Sequence, residues 1–324
     1  MKMRNALRIL AAAGLGTALL TQPALAQTWP TKIVRIVTPT SPGGPSDILA
    51  RILAQKLTES LGQQVIVENK PGGGQMIGTD FVAKAEPDGH TLLLVNDGAI
   101  AINPSLYSKM PYDPQKDLAP VTLIADLPMV MVVHPDLPAK TAKDLIDLAK
   151  AKPGTLNFAA GGSTSQFSGE LFRLAAGLDM VHVGYKGSGQ AVAAVVGGET
   201  QLMFDGIASS LPHIKSGRLR ALGVTSEKPL AELPGIPVVG ATVPGYTSGT
   251  WLGVLTAAAT PKPVIAKLRA EIGKVVAMPD IREKLVAMGM YPVMSQPEEF
   301  AATIKSDTAK WAKVIREAKI PRVE

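Results

Sequence analysis

The chain has 324 residues, a formal charge of +6 and no cysteine, so disulfides and thiolate zinc sites are excluded and stability must come from ordinary core packing. Aromatic residues make up only 4%, and the cations are interspersed with acids. That leaves neither a basic stripe nor a stacking platform for nucleic acid, and a small ligand is the expected partner.

The first 26 residues have the three parts of a secretory signal. Lys2, Arg4 and Arg8 form the basic part, residues 9–20 the apolar core, and Ala24-Leu-Ala26 a small-residue cleavage site before Gln27. The apolar core is shorter than the roughly 20 residues that cross a bilayer. The sequence therefore predicts cleavage after Ala26, export to a periplasm and no membrane insertion of the mature protein, whose formal charge drops to +3. No Cys near the cut could take a lipid. The remaining length suits two domains of ordinary size.

Beyond the signal, short β-branched runs alternate with amphipathic stretches, the pattern of an α/β fold with largely parallel strands. Strands are predicted at 33–37, 64–68, 91–95 and 121–124, with helices at 48–61 and 76–84 and a turn at Glu86-Pro-Asp-Gly89. Leu49, Ile52, Leu53, Leu57 and Leu61 supply the helical spacing of the first helix. A second group of strands at 129–133, 156–159, 180–184, 201–204 and 221–224 is interleaved with three helices. One starts at the capping-box pattern Thr141-Ala-Lys-Asp144, and the others cover 167–176 and 190–196. The two groups look like two similar α/β lobes. A last strand, 251–257, is followed by helices at 263–277, 279–288 and 297–318, each opened by proline. Periodicity does not say which lobe these complete.

Ligands of open parallel sheets sit outside the carboxyl ends of the strands, and several strand ends here run into Gly- and hydroxyl-rich loops. The most telling is Thr38-Pro-Thr-Ser-Pro-Gly-Gly-Pro-Ser-Asp47, which makes Thr40, Ser41, Pro42, Gly43, Gly44 and Asp47 candidate binding residues. Two glycines allow a close turn, Pro45 suits the first helical position and Asp47 the first turn. Free backbone N–H groups would then converge with a helix N-terminus on a carboxylate or phosphate, with no cationic side chain needed. Asp47 by itself is more often a first-turn helix acid than a ligand contact.

Pro71-Gly-Gly-Gly74 reads as a tight turn, and Asn96 as either a ligand donor or the head of an Asx turn. Gly161, Gly162, Ser163, Thr164 and Ser165 place three hydroxyls beside two glycines, more than one helix cap requires, and predict binding. Tyr185 opens another such loop, whose Lys186 reads as a surface lysine. Asp205 could contact a ligand or hold the turn after its strand. His90, His134, His182 and His213 are far apart and match no metal spacing, and no nucleophile elbow, phosphate loop or dinucleotide fingerprint occurs. The expectation is a binding protein without catalytic residues, metal or cofactor. An exported enzyme acting on a small carboxylate or phosphate ester is the main alternative.

Several segments taken in order carry a family likeness. They are Trp29-Pro-Thr-Lys-Ile-Val-Arg-Ile-Val37, Pro42-Gly-Gly-Pro-Ser-Asp47, Val67-Glu-Asn-Lys-Pro-Gly-Gly-Gly74, Pro87-Asp-Gly-His-Thr-Leu-Leu93 and Asn103-Pro-Ser-Leu-Tyr107. Then come His182-Val-Gly-Tyr-Lys-Gly187, Met203-Phe-Asp205, Leu211-Pro-His-Ile-Lys-Ser-Gly217 and Trp251-Leu-Gly253. Along essentially the whole mature chain this resembles the substrate-binding receptors of tripartite tricarboxylate transporters, the Bug family.

The resemblance implies a two-lobe periplasmic binding protein-like fold of type II, each lobe a sheet flanked by helices, with the ligand in the cleft between them. By that pattern one lobe is 27–126 with 250–324 and the other 127–249. It also implies a small carboxylate ligand (a dicarboxylate, tricarboxylate, aromatic carboxylate or amino acid) presented to membrane permease subunits. One carboxylate would be held by main-chain N–H groups, hydroxyls and ordered waters rather than by an arginine clamp. A ligand-sensing partner of a membrane receptor could use the same fold, and a receptor that docks and releases is expected to be a monomer. Two departures from the family pattern, Thr40-Ser41 before Pro-Gly-Gly and Gln166 after the hydroxyl-rich segment, make Thr40 and Gln166 candidate selectivity groups.

Overall fold

Val34, Ile36 and Val37 are wholly buried while Arg35 faces solvent, so β1 (Val34–Thr38) is an inner strand. The computed structural model describes residues 29–324, and the secretory signal lies outside the described residues. Lys32–Glu324 form one compact unit, which carries everything that follows. Helix α1 (Pro45–Leu61) buries Leu49, Leu53 and Leu57 at four-residue intervals. It ends at Gly62, whose positive φ of 64° an L-residue with a side chain adopts at a cost.

β1 pairs in parallel with β2 (Val65–Asn69) and β3 (Thr91–Asn96), and β5 (Asn157–Ala160) in parallel with β6 (Val181–Gly184) and β7 (Leu202–Gly206). The two parallel groups are joined by antiparallel strands. β4 (Leu118–Val133) pairs with β9 (Gly249–Ala257) as far as Pro128, and from Met129 onward with β7 and β8 (Arg220–Val224). β9 also pairs antiparallel with β3, and the short β10 (Tyr291–Pro292) with β4.

Two sequence expectations are corrected here. The runs at 121–124 and 129–133 are one 16-residue strand. The ladder absorbs Pro120 beside a register shift, and Pro128 lies at the last pair before β4 exchanges β9 for β7 and β8. The sheet is also mixed rather than largely parallel, because strand direction follows from pairing across the chain and leaves no local pattern.

Helix α2 (Met76–Ala83) matches its expectation. A π-helical turn, Gly98–Ile102, and the short α3 (Asn103–Leu106) went unpredicted, since residues 99–102 are a short apolar run without helical period. Helix α4 (Ala142–Ala151) starts as expected. Thr141 Oγ1 accepts from Asp144 N at 3.1 Å and Asp144 Oδ2 from Thr141 N at 3.0 Å. Thr141→Ala should therefore cost about 1 kcal/mol, seen as a lower urea midpoint with an unchanged slope.

Helix α5 (Ser163–Ala175) begins four residues before its expected start, α6 (Ser188–Val196) begins two before, and α7 (Ile207–Lys215) was masked in the sequence by Pro212. The C-terminal helices divide their contacts. α8 (Lys262–Ala277) lies on α1 and β4, α9 (Pro279–Ala287) on α8 and β10, and α10 (Pro297–Glu317) on β4, the π-helical turn, α3 and α5. Ala101, Ile102, Phe167, Trp311, Val314 and Ile315 form one apolar cluster between these last elements. No helix among the described residues is long and apolar enough to cross a membrane.

Candidate functional site

Because β1, β2 and β3 run parallel, Thr38, Asn69 and Asn96 end at one sheet edge, and β5, β6 and β7 end together in the same way. The helices that follow β1, β5, β6 and β7 start at Gly44, Gly162, Gly187 and Gly206, and none has a side-chain cap. Helices α4 and α10, which do not follow a strand of these groups directly, carry capping boxes. Each glycine start leaves first-turn N–H groups with no intrahelical partner and a partial positive charge.

Two of these four starts are already served by acids. Asp47 is buried, and its Oδ2 accepts from Gly43 N and from Arg51 Nε, both at 2.9 Å, while Oδ1 accepts from Asn69 Nδ2 at 2.9 Å. The Arg51 guanidinium, aided by the Gly43 amide and the Asn69 side chain, holds the carboxyl down at about 2 despite burial. The expected ring of free amides around Gly43 and Gly44 is thus partly filled by the chain's own carboxylate, with a cation beside it. Asp47 works as the organiser of this turn. Ser41, Pro42 and Gly43 are exposed, and the half-buried Thr40 leaves its Oγ1 without a partner.

At the start of α7, the buried Asp205 accepts from the hydroxyls of Ser188 and Ser209 and from Ser210 at 2.8 Å. Asp205 holds the turn, the second of its two expected roles.

The starts of α5 and α6 carry no acid in their first turns. They abut so closely that a methyl group on Gly161 would run into the backbone of Gly187 and Ser188. The hydroxyl-rich segment expected as a loop is instead this first turn. Ser165 is buried and donates to the Phe204 carbonyl at 2.5 Å, a structural role. Ser163 and Thr164 line a cavity of about 240 Å³ with Gly74, Gln75, Asn96, Gly98, Ile102, Asn103, Leu106 and Tyr107. No charged side chain lines it.

Within that cavity Asn96 heads the Asx turn that was one of its two expected roles. Its Oδ1 accepts from Gly98 N at 3.1 Å, an Asx turn, and its Nδ2 is left to the cavity. The Gly72–Gly74 stretch is more than a tight turn. Three successive positive φ angles bring Gly74 to the cavity wall, where its carbonyl accepts from Asn103 Nδ2 at 2.8 Å. Gln75 follows with φ 75°, an uncommon conformation outside glycine, and its buried Oε1 has no partner. Gln75, Asn103 and Tyr107 went unpredicted, although Asn103-Pro-Ser-Leu-Tyr107 stood among the family landmarks. Tyr185 packs partly against the apolar core under β4, Lys186 is exposed, and Gln166 continues α5 away from the cavity lining.

A larger cavity of about 530 Å³ lies beside the end of the β4–β9 ladder, among Asp126, Glu227, Lys228, Trp251, Tyr291, Asp307 and Lys310. Enclosure, with the Asp307 and Glu227 carboxylates adding to it, pushes Asp126 up to about 6. The walls of this larger cavity carry three carboxylates, Asp126, Glu227 and Asp307, against two cations, Lys228 and Lys310, whereas the smaller cavity has no charged wall. His182 packs on Phe158 at 5.3 Å between ring centroids, and burial lowers its pKa. Among the described residues no group of His, Asp and Glu is placed to hold a metal.

Residues 49–320 match the family described as the tripartite tricarboxylate transporter family receptor, TctC. The chain belongs to this receptor family. Among solved structures, the receptor is similar to the periplasmic binding protein BugD, with 32% identity, TM-score 0.73 and coverage of 91% of this chain and all of that one. It is similar to Rpa4515 of R. palustris, determined with adipate, at 32% identity and TM-score 0.76, again over 91% of this chain and all of the other. It is similar also to MatC of Rhodopseudomonas palustris with bound malate, at 29% identity and TM-score 0.72, over 89% of this chain and all of that one. The receptor thus has the α/β periplasmic binding protein fold, in a family of transport receptors rather than enzymes.

Proposed function

We propose that the receptor captures a small carboxylate in the periplasm and presents it, as a monomer, to the permease subunits of a tripartite tricarboxylate-type transporter. One carboxylate of the ligand sits at the first turn of α5, and the rest reaches Gln75 and Asn96. The observation that carries this reading is the uncapped, acid-free start of α5 opening on a cavity without charged walls. Two similar proteins, determined with adipate and with bound malate, support a dicarboxylate among the possible ligands. The carboxylate class as a whole takes in tricarboxylates, aromatic acids and amino acids. The secretory signal directs export and is removed after Ala26.

The cavity is walled by both parallel strand groups, and β4 changes partners after Pro128. This supports a division into lobes 27–126 with 250–324, and 127–249, that close over the ligand. Closure shifts with ligand only as far as the closed form binds better, and Ser163 and Thr164 on one side with Gln75 and Asn96 on the other supply that difference. The test is thermal unfolding of the mature protein, freed of bound ligand by refolding, against mono-, di- and tricarboxylates, aromatic acids, amino acids and phosphate esters. A ligand at 100 times its dissociation constant should add about 2.7 kcal/mol. A shift with phosphate esters and none with carboxylates would overturn the reading.

A further inference from the structure

Asp97 is a buried carboxylate, 1% exposed, that the carboxylate reading leaves unused. It follows Asn96 and precedes Gly98, both of which line the cavity, and it leads into the π-helical turn, a conformation often found at functional sites. Thr250 at the start of β9 donates its hydroxyl to Asp97 Oδ1 at 2.5 Å. Thr250 in turn pairs with Leu127 of β4, two residues before β4 changes partners. One side chain therefore ties the cavity wall to the β4–β9 ladder.

The charged groups facing Asp97 come from α10. Asp307 takes the Trp251 Nε1–H at 2.9 Å and pairs with Lys310 at 2.7 Å, so Lys310, the cation that acts on Asp97, is already engaged. A carboxylate buried with one hydroxyl donor, its own backbone N–H and no cation paired to it is disfavoured as an anion. A carboxylate ligand beside Asn96 would add a second negative charge close by and push the same way.

We propose that Asp97 is a positioning residue that ties Asn96 to the β4–β9 ladder in its neutral, protonated form, so that capture of an anionic ligand takes up a proton. The second half rests on the carboxylate reading of the cavity. Burial brings Asp97 up to about 7, with Thr250 and Lys310 opposing and Asp307 adding. The folded chain then keeps a proton that an unfolded one releases near 3.8, so stability falls as pH rises between these values and levels off above about 7. Ligand affinity falls above about 7, by at most about tenfold per pH unit.

Asp97→Asn keeps the shape and the acceptor for Thr250 but cannot titrate. In the ligand-free protein near pH 6, difference infrared spectra should show the carbonyl stretch of a protonated carboxylic acid that Asp97→Asn lacks and Asp126→Asn retains. Adipate is then titrated near pH 6.5 and near pH 8.5. The natural chain should bind about tenfold more weakly at the higher pH, and Asp97→Asn equally at both. Parallel pH profiles, or no infrared difference, would overturn the proposal. If Asp97→Asn does not fold, protons taken up by the natural chain on binding adipate can be counted by calorimetry in two buffers. Uptake rising toward one near pH 8 supports the proposal and zero overturns it. A chain that takes no carboxylate but keeps the infrared difference upholds the neutral Asp97 and overturns the carboxylate reading instead.

Discussion

Ser163→Asp should leave the receptor more stable and nearly unable to hold a carboxylate. Ser163 is the first residue of α5, behind Gly162, with no acid in the first turn and no side-chain cap. A carboxylate there complements the helix dipole and should add about 0.5 kcal/mol in the absence of ligand. The same charge would stand where the ligand's carboxylate is proposed to sit. Two like charges about 4 Å apart repel by about 1 to 4 kcal/mol between bulk water and a protein surface, and the first-turn amides would be occupied as well. Affinity should fall by about a hundredfold, while Ser163→Asn, which adds no charge, should keep binding within about tenfold. Melting curves with and without ligand measure both effects at once. A simple loss of folding cannot imitate a protein that melts higher and binds less. Unchanged binding in Ser163→Asp would remove the ligand from the start of α5.

Trp311→Ala should be the most destabilising single change outside the strands. Trp311 is fully buried in α10, its ring 5.6 Å from that of Phe167 and in one cluster with Ala101 and Ile102. Truncation to Ala should cost about 3 to 5 kcal/mol, a large share of the roughly 5 to 15 kcal/mol that keeps a domain folded. Binding should suffer too, below the melting range. Ile102 lines the cavity, and Phe167 lies one helical turn beyond the cavity-lining Ser163 and Thr164, so the cluster supports both sides of the site. Trp311→Phe should recover most of the stability, because the indole Nε1 has no hydrogen-bond partner to lose. Urea unfolding of the three proteins, with adipate binding measured at low temperature, checks both statements.

Much of this receptor could be read before its structure, and the particulars show why. Burial of one helix face repeats every three to four residues, so Leu49, Leu53 and Leu57 announced α1, and the spacing of Thr141 and Asp144 announced the start of α4. The parallel groups β1–β3 and β5–β7 followed from β-branched runs alternating with helices. Two successive glycines marked two of the uncapped helix starts, at Gly44 and Gly162, because positions without a Cβ are where a chain turns most closely. The landmarks also carried the family, through their order along the chain.

The site itself was only half legible. Ser163, Thr164 and Asn96, all candidates on sequence grounds, line the cavity, while Asp47 and Asp205 hold their own turns and Ser165 bonds across to the Phe204 carbonyl of β7. A carboxylate that accepts from Gly43, 4 residues back, and from Asn69, 22 residues on, looks in sequence like one that waits for a ligand. By itself, then, the sequence determined most helices and strands, two of the four glycine starts and the family, because these depend on burial periods and turn chemistry within a few residues. Only the tertiary structure decided that β4 is one strand joining both groups, that β9 runs antiparallel, that Asp47 and Asp205 already serve two of the four helix starts, and that Gln75, Asn103 and Tyr107 meet Thr164. Those outcomes depend on which groups satisfy each other across tens of residues of chain, and such pairing leaves no periodic trace in the residues themselves.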